Sequence, residues 1–214
     1  MSVSKTIVIS CAGMGTRLGI GSTKALIDID GKPLIIRQLE LLKDFDDIRI
    51  VVGYQMEKVI EVVNSYRKDI LFVFNHDYRN TGTGGSFSRA IKHAAELVVS
   101  LDGDLLVHPD DLMRVLNSDK ECVCGAIPCT EDPMLMKTLT QNGQIYGVGF
   151  SREEGEWTGL AQVKTERLTP GDHHVCDMMV PLLPLPMELI RTKEIDTMSD
   201  YEHAVAWVKS GYAD

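Results

Sequence analysis

The stretch Thr6-Ile7-Val8-Ile9-Ser10-Cys11-Ala12-Gly13-Met14-Gly15-Thr16-Arg17-Leu18-Gly19 joins a β-branched run to a glycine-rich loop. Residues 5–10 read as a buried strand. Glycines behind such a strand let backbone N–H groups turn inward and approach oxygen closely, which suits bound phosphate. A P-loop requires GxxxxGK[ST], and no such string occurs. A dinucleotide fingerprint requires GxGxxG, but Leu18 stands where the third glycine belongs and the acidic partner about 20 positions on is poorly placed. The third reading is a triphosphate cradle, with Arg17 and then Lys24 as two cations beside a backbone nest. A plain strand-to-helix turn with solvated Arg17 and Lys24 is the alternative.

Outward from this loop, strands and helices alternate. Helical spacing appears over 34–42, behind Pro33, and over 56–66, 84–95 and 109–116. Apolar runs at 48–52, 70–74, 97–101 and 121–127 read as strands. This βαβ rhythm over about the first 127 residues predicts an α/β chain with a mainly parallel, doubly wound sheet. From Pro128 to Pro186 the pattern changes to short strand-like pieces, 145–150 and 160–163, expected to form an antiparallel wall of a cleft. A helix over 199–210 closes the chain.

The bulk properties narrow the function. The chain has 214 residues, the size of one domain with a sizeable core. Its formal charge of −9 argues against a nucleic-acid partner, although a few local cations are enough to bind phosphate. Five cysteines (Cys11, Cys122, Cys124, Cys129 and Cys176) without a CxxC pair predict reduced thiols in a cytoplasmic protein. No segment approaches the ~18 apolar residues of a membrane span, and no signal-peptide pattern precedes the first strand, so no membrane insertion is expected.

Three further stretches carry chemistry. Leu101-Asp102-Gly103-Asp104 ends a buried strand with two carboxylates, where open α/β sheets bind ligands and where a hard ion such as Mg²⁺ finds oxygen donors. Glu194-Ile195-Asp196-Thr197-Met198-Ser199-Asp200 adds a second acidic group, in which Asp196 or Ser199 is also a candidate helix cap. Asn80-Thr81-Gly82-Thr83-Gly84-Gly85-Ser86 is a glycine and hydroxyl loop on which a flat base can lie.

In this order the motifs resemble the nucleotidyltransferases that activate phosphorylated small molecules with an NTP, both the sugar-phosphate enzymes and, more closely, the short phosphocholine-type cytidylyltransferases. The carriers are Ala12 to Leu18, Thr23-Lys24-Ala25-Leu26, Gly31-Lys32-Pro33-Leu34-Ile35, Val51-Val52-Gly53-Tyr54, Leu101 to Asp104 and Ile195 to Tyr201. The likeness is strong over about the first 110 and last 20 residues and weak between them.

The resemblance implies a three-layer α/β/α, Rossmann-like GT-A fold with a mixed central sheet. It implies one domain over 1–214, with a nucleotide half to about 127, an acceptor-side wall to about 186, then a metal aspartate and closing helix. The implied reaction is Mg²⁺-dependent: NTP, CTP favoured, and a phosphorylated or phosphonate acceptor give a nucleotide-linked product and pyrophosphate. Carried over residue by residue, Ala12, Gly13, Met14, Gly15 and Thr16 cradle the triphosphate, with Arg17 on its outer phosphates. Lys24 stabilises charge at the α-phosphate. Asp104 and Asp196 hold the metal, with Asp102 beside the nucleotide, and Thr83, Gly84, Gly85 and Ser86 lie where the base is read. A homodimer is left open.

Thr23 replaces the family's frequent proline before the lysine, and the middle region lacks the acceptor-phosphate lysine of the sugar enzymes. Arg152 and Lys137 are weak substitutes, and Trp157 is either a packed side chain or a cover for a cationic or sugar head group. Two other functions compete. A glycosyltransferase of the same broad fold would need the Asp-x-Asp site but not the triphosphate loop. A non-catalytic nucleotide-binding module would not need Arg17, Lys24, Asp104 and Asp196 together.

Overall fold

The computed structural model describes residues 3–15, 19, 21–128, 135–139, 144–148 and 155–213. Strand β1 (Lys5–Cys11) turns Ile7, Ile9 and Cys11 into one core and Val8 into another. Because both faces are covered, its sequence reads as a continuous apolar run rather than as alternation. β1 lies between β4 (Ile48–Val52) and β6 (Leu97–Asp102), and β4 pairs with β5 (Leu71–Phe74), all four strands parallel. Helices α1 (Leu34–Leu41), α2 (Met56–Tyr66) and α4 (Pro109–Leu116) cover one face, and α3 (Thr83–Ala90) and α5 (Val175–Met179) the other.

Beyond β6 the sheet becomes mixed. The long strand β11 (Gly155–Lys164) runs antiparallel to β6 and to β8 (Cys122–Ala126), and β8 pairs parallel with β12 (Leu185–Leu189). β10 (Gln144–Val148) and β9 (Leu135–Leu139) follow, completing the order β5-β4-β1-β6-β11-β8-β12-β10-β9. This is the expected three-layer α/β fold. Four short strands escape the periodicity reading because two or three residues carry no pattern: β2 (Asp28–Ile29) with β3 (Lys32–Pro33), and β7 (Leu105–Val107) with β13 (Thr192–Glu194). Helix α6 (Met198–Lys209) buries Ala204 and Trp207 in a small core with Ile27, Ile29, Leu106 and Ile195.

The third helix is shorter than its sequence pattern, stopping at Ala90 rather than Ala95. The buried guanidinium of Arg49 explains the stop. It donates to the carbonyls of Ala90 (2.7 Å), Lys92 (2.8 Å) and His93 (3.0 Å), which would otherwise continue the helix or stay unpaired, and it is itself held by Asp47 (2.9 Å). Removing it leaves three carbonyls and a carboxylate without their partner. Arg49→Met is therefore expected to lower stability by about 2 kcal/mol, the scale of leaving buried carbonyls without their donor. Urea unfolding measures this, and an unchanged midpoint would show that the carbonyls find other donors.

Candidate active site

Strand β1 connects to β4 on one side and lies against β6 on the other, so the strand order reverses at β1. Open α/β sheets bind ligands at such a reversal, beyond the C-terminal ends of the strands. Residues 12–15 leave β1 there, and Asp102, Gly103 and Asp104 leave β6. The amide of Gly103 donates to the carbonyl of Ser10 (3.0 Å), which fixes one exit against the other.

Lys24 sits on a 3-10 turn, Lys24–Leu26, behind the buried Thr23. Its ammonium contacts Asp104 Oδ2 at 2.9 Å and Asp196 Oδ1. The two aspartates meet because β7 and β13 pair directly behind them, with Leu105 opposite Glu194 and the amide of Ile195 donating to the carbonyl of Asp104 (3.3 Å). The cap of α6 falls to Thr197, whose hydroxyl accepts from the amide of Asp200, and not to Asp196 or Ser199. Asp196 is thereby turned toward Lys24. Gly15 (φ 59°) roofs the lysine stem, and a Cβ there would lie 2.9 Å from Lys24 Cγ.

A third carboxylate, Glu194, joins the pair: oxygens of Asp104, Glu194 and Asp196 lie within 4.8 Å of one another. The sequence reading quoted Glu194 but gave it no role. The usable signal is its spacing, since residues i and i+2 of an extended segment share a face. Burial, then the charges of Asp104, Asp196 and Asp102, push the Glu194 carboxyl up to about 8. Burial, then Asp104, push Asp102 up to about 7. Asp102 Oδ1 has no hydrogen-bond partner among the described residues, and its other oxygen occupies the space a Cβ at Gly159 (φ 77°) would need. Burial by itself would lower the Lys24 ammonium, but Asp104 and Asp196 outweigh it and its pKa is raised. Clustered hard oxygen donors with one compensating cation suit a divalent metal ion.

Two cavities share this floor. The smaller, about 220 Å³, is lined by Gly13, Gly15, Thr23, Lys24 and Asp104. The larger, about 450 Å³, is bounded by Ala12, Gly13, Asp102, Thr83, Ser86 and Trp157 among others. Met14 is more than a third exposed and lines neither. Thr16, Arg17 and Arg152 lie outside the described residues, as does the side chain of Lys137. Thr83 and Ser86 face the larger cleft, but Gly84 and Gly85 do not. The amides of Gly82 and Gly84 are spent on the carbonyls of Asp172 (2.8 Å) and His173 (2.9 Å), so these glycines serve the close approach of α3 to residues 172–174. The buried Asn75 donates to the hydroxyls of Thr81 and Ser86 (both 3.0 Å) and orients them. Trp157 is both a packed and a cleft side chain, half-buried against the core with its neighbour Glu156 also on the cleft wall.

This fold is that of known nucleotidyltransferases. The CTP:phosphocholine cytidylyltransferase LicC of Streptococcus pneumoniae superposes with a TM-score of 0.74 at 19% identity, over 96% of this chain and 100% of that one. The inositol-1-phosphate CTP transferase from T. maritima superposes with a TM-score of 0.72 at 16% identity, over 100% and 99%. At these identities the likeness shows the fold. The family is shown by sequence: residues 7–169 match the MobA-like NTP transferase domain, and the chain belongs to that family. The bifunctional protein GlmU of Aliarcobacter butzleri (strain RM4018) is 37% identical over 153 residues, 71% of this chain. The chain spans about a third of the length of that relative (35%). Among the described residues no helix is long and apolar enough to cross a membrane.

The segment that carries Glu194 and Asp196 is tied down outside the cleft. Arg191, just before β13, donates from its backbone amide and from Nε to Asp111 Oδ2 (both 2.9 Å), in the first turn of α4. Burial by itself would raise the Asp111 carboxyl, but hydrogen bonds from Arg191 outweigh it and hold the pKa at about 2. A carboxyl depressed in the folded state stabilises it above the unfolded value near 4, and that stability is lost as pH falls toward 2. Asp111→Asn is expected to flatten the acid loss of stability between about pH 4 and pH 2, read from urea midpoints across that range. An unchanged acid slope in the variant would place the acid-sensitive contact elsewhere.

Proposed function

We propose that the chain is a Mg²⁺-dependent nucleotidyltransferase that moves a nucleoside monophosphate, CMP from CTP in the favoured case, onto a phosphate monoester or phosphonate and releases pyrophosphate. The observation that carries this reading is the meeting of Lys24 with Asp104 and Asp196 beside the backbone of Gly13 and Gly15. An acceptor oxygen forms the new bond to the α-phosphorus while the bond from that phosphorus to the pyrophosphate oxygen breaks. The acceptor is already an anion at neutral pH, so the chemistry asks for alignment and charge neutralisation rather than a general base.

In this reading the backbone from Ala12 to Thr16 holds the triphosphate and Arg17 its outer phosphates. Lys24 stabilises charge at the α-phosphate. Asp104 and Asp196 hold the metal with Glu194, which the oxygen cluster favours as a third donor. Bound Mg²⁺ would neutralise the phosphates of the NTP. Thr83 and Ser86 take the base side, and Gly84 and Gly85 shape it by letting α3 pack closely. CTP is in keeping with the two enzymes of the same fold whose names include it.

The acceptor side supports a substrate with a positively charged end. Beside the proposed metal ligands the larger cleft carries Asp102 and Glu156 with the rings of Tyr78 and Trp157, and no lysine or arginine among its described lining. Such a wall favours an amino- or trimethylammonium-alkyl phosphate or phosphonate. A polyol phosphate is the second reading, in keeping with the inositol-phosphate enzyme of the same fold.

Pyrophosphate release with Mg²⁺, across four NTPs and a panel of cationic and neutral phosphate esters and phosphonates, tests the reading. CTP with a cationic acceptor is the expected productive pair. Binding of NTP without release from any pair would favour a non-catalytic module. Lys24→Ala is expected to lower kcat by about 10²-fold or more, the scale of losing one preorganised charge-stabilising group. Asp104→Ala is expected to abolish Mg²⁺-dependent turnover. A near-normal kcat in either variant would remove that residue from the mechanism.

A further inference from the structure

The ammonium of Lys24 occupies the point at which Asp104 and Asp196 converge. All three side chains are largely withdrawn from water, at 12%, 22% and 13% exposure, so charges there are weakly screened. The two contacted carboxylates are members of the cluster that gathers Asp104, Glu194 and Asp196. A second cation bound by the same carboxylates would stand close against the ammonium. Lys24 is held at its base, and its long unbranched stem carries the ammonium beyond that point. Its backbone carbonyl accepts from the amide of Ile27 (3.1 Å), and Gly15 packs over its stem. The tip shares one cavity with the Gly13–Gly15 backbone.

We propose that Lys24 is the resident counter-cation of this carboxylate cluster, that it keeps a divalent ion out while no nucleotide is bound, and that a triphosphate admits the ion by drawing the ammonium away. The inference rests on the reading of Asp104 and Asp196 as metal ligands. One ammonium then serves two anionic partners in turn, the carboxylates first and the phosphates afterwards. Nucleotide and metal must consequently favour each other's binding, because each is helped by the displacement of Lys24 that the other requires.

The test is Mn²⁺ titration without nucleotide, followed by electron paramagnetic resonance. Lys24→Met and Lys24→Gln, two neutral replacements, are expected to bind Mn²⁺ at least about tenfold more tightly than the unmutated chain, equivalent to about 1.4 kcal/mol. Lys24→Arg, which keeps the charge, is expected to stay near the unmutated value. In a chelator the neutral variants should melt at a lower temperature, and Mn²⁺ should raise their Tm more than that of the unmutated chain. Adding Asp104→Asn to Lys24→Met should abolish the gain. Equal affinity in all Lys24 variants, still lost with Asp104→Asn, would overturn the counter-cation role and leave the metal site standing. No Mn²⁺ binding by any of these proteins would overturn the metal-site reading and the inference with it.

Discussion

A lysine held between two aspartates ties the start of the chain to its middle and its end. Lys24 reaches Asp104, 80 residues on, and Asp196, 172 residues on. The arrangement has an electrostatic logic. Four carboxylates, Asp102, Asp104, Glu194 and Asp196, face one small region, and two of them, Asp102 and Glu194, are pushed well above their ordinary range by burial and by the others. Like charges withdrawn from water in this way are costly unless a cation sits among them. The β7–β13 ladder and the Asp111–Arg191 anchor hold the carboxylates in place against their mutual repulsion.

The sheet carries this site because of how its strands were specified. Runs such as 5–10 and 48–52 carry β-branched residues at successive positions (Ile7-Val8-Ile9 and Ile50-Val51-Val52), since helices cover both faces, and this made the parallel half legible from sequence. The bounds 56–66 and 109–116 were legible from one apolar stripe in each helix, helped in the second by Pro109 at its first position. The third helix was misjudged because its stop lies in a distant side chain, Arg49, and not in local residues. The strands β7 and β13 were invisible because three residues have no period, yet they bring the two acidic segments together.

The site was legible in unequal parts for a physical reason. Glycine loops and paired carboxylates are local in sequence, so Gly13, Gly15, Asp102 and Asp104 could be singled out at once. That Asp196 faces Lys24 depends on a tertiary pairing and on Thr197 taking the helix cap, and only the order of motifs pointed there. Glu194 went unassigned because its role follows from sharing the exit of β13 with Asp196. The glycines at 82 and 84 show how one sequence can serve packing as well as a ligand loop, since their amides are committed to the backbone of residues 172 and 173.

The distribution of charge also constrains what the cleft can accept. The smaller cavity offers backbone amides and one ammonium, and the larger one offers carboxylates and two aromatic rings. Among the described residues an anionic group is therefore attracted near Lys24 and the Gly13 and Gly15 backbone and repelled along the acidic part of the larger cavity. A substrate whose anionic end must reach that point gains from a positive end resting on the acidic, aromatic side, and a substrate anionic throughout is disfavoured at both ends of its path. The same acidity that Lys24 offsets in the folded chain would thus also sort acceptors, so that the electrostatics of the carboxylate cluster and the chemistry of the proposed reaction are one constraint.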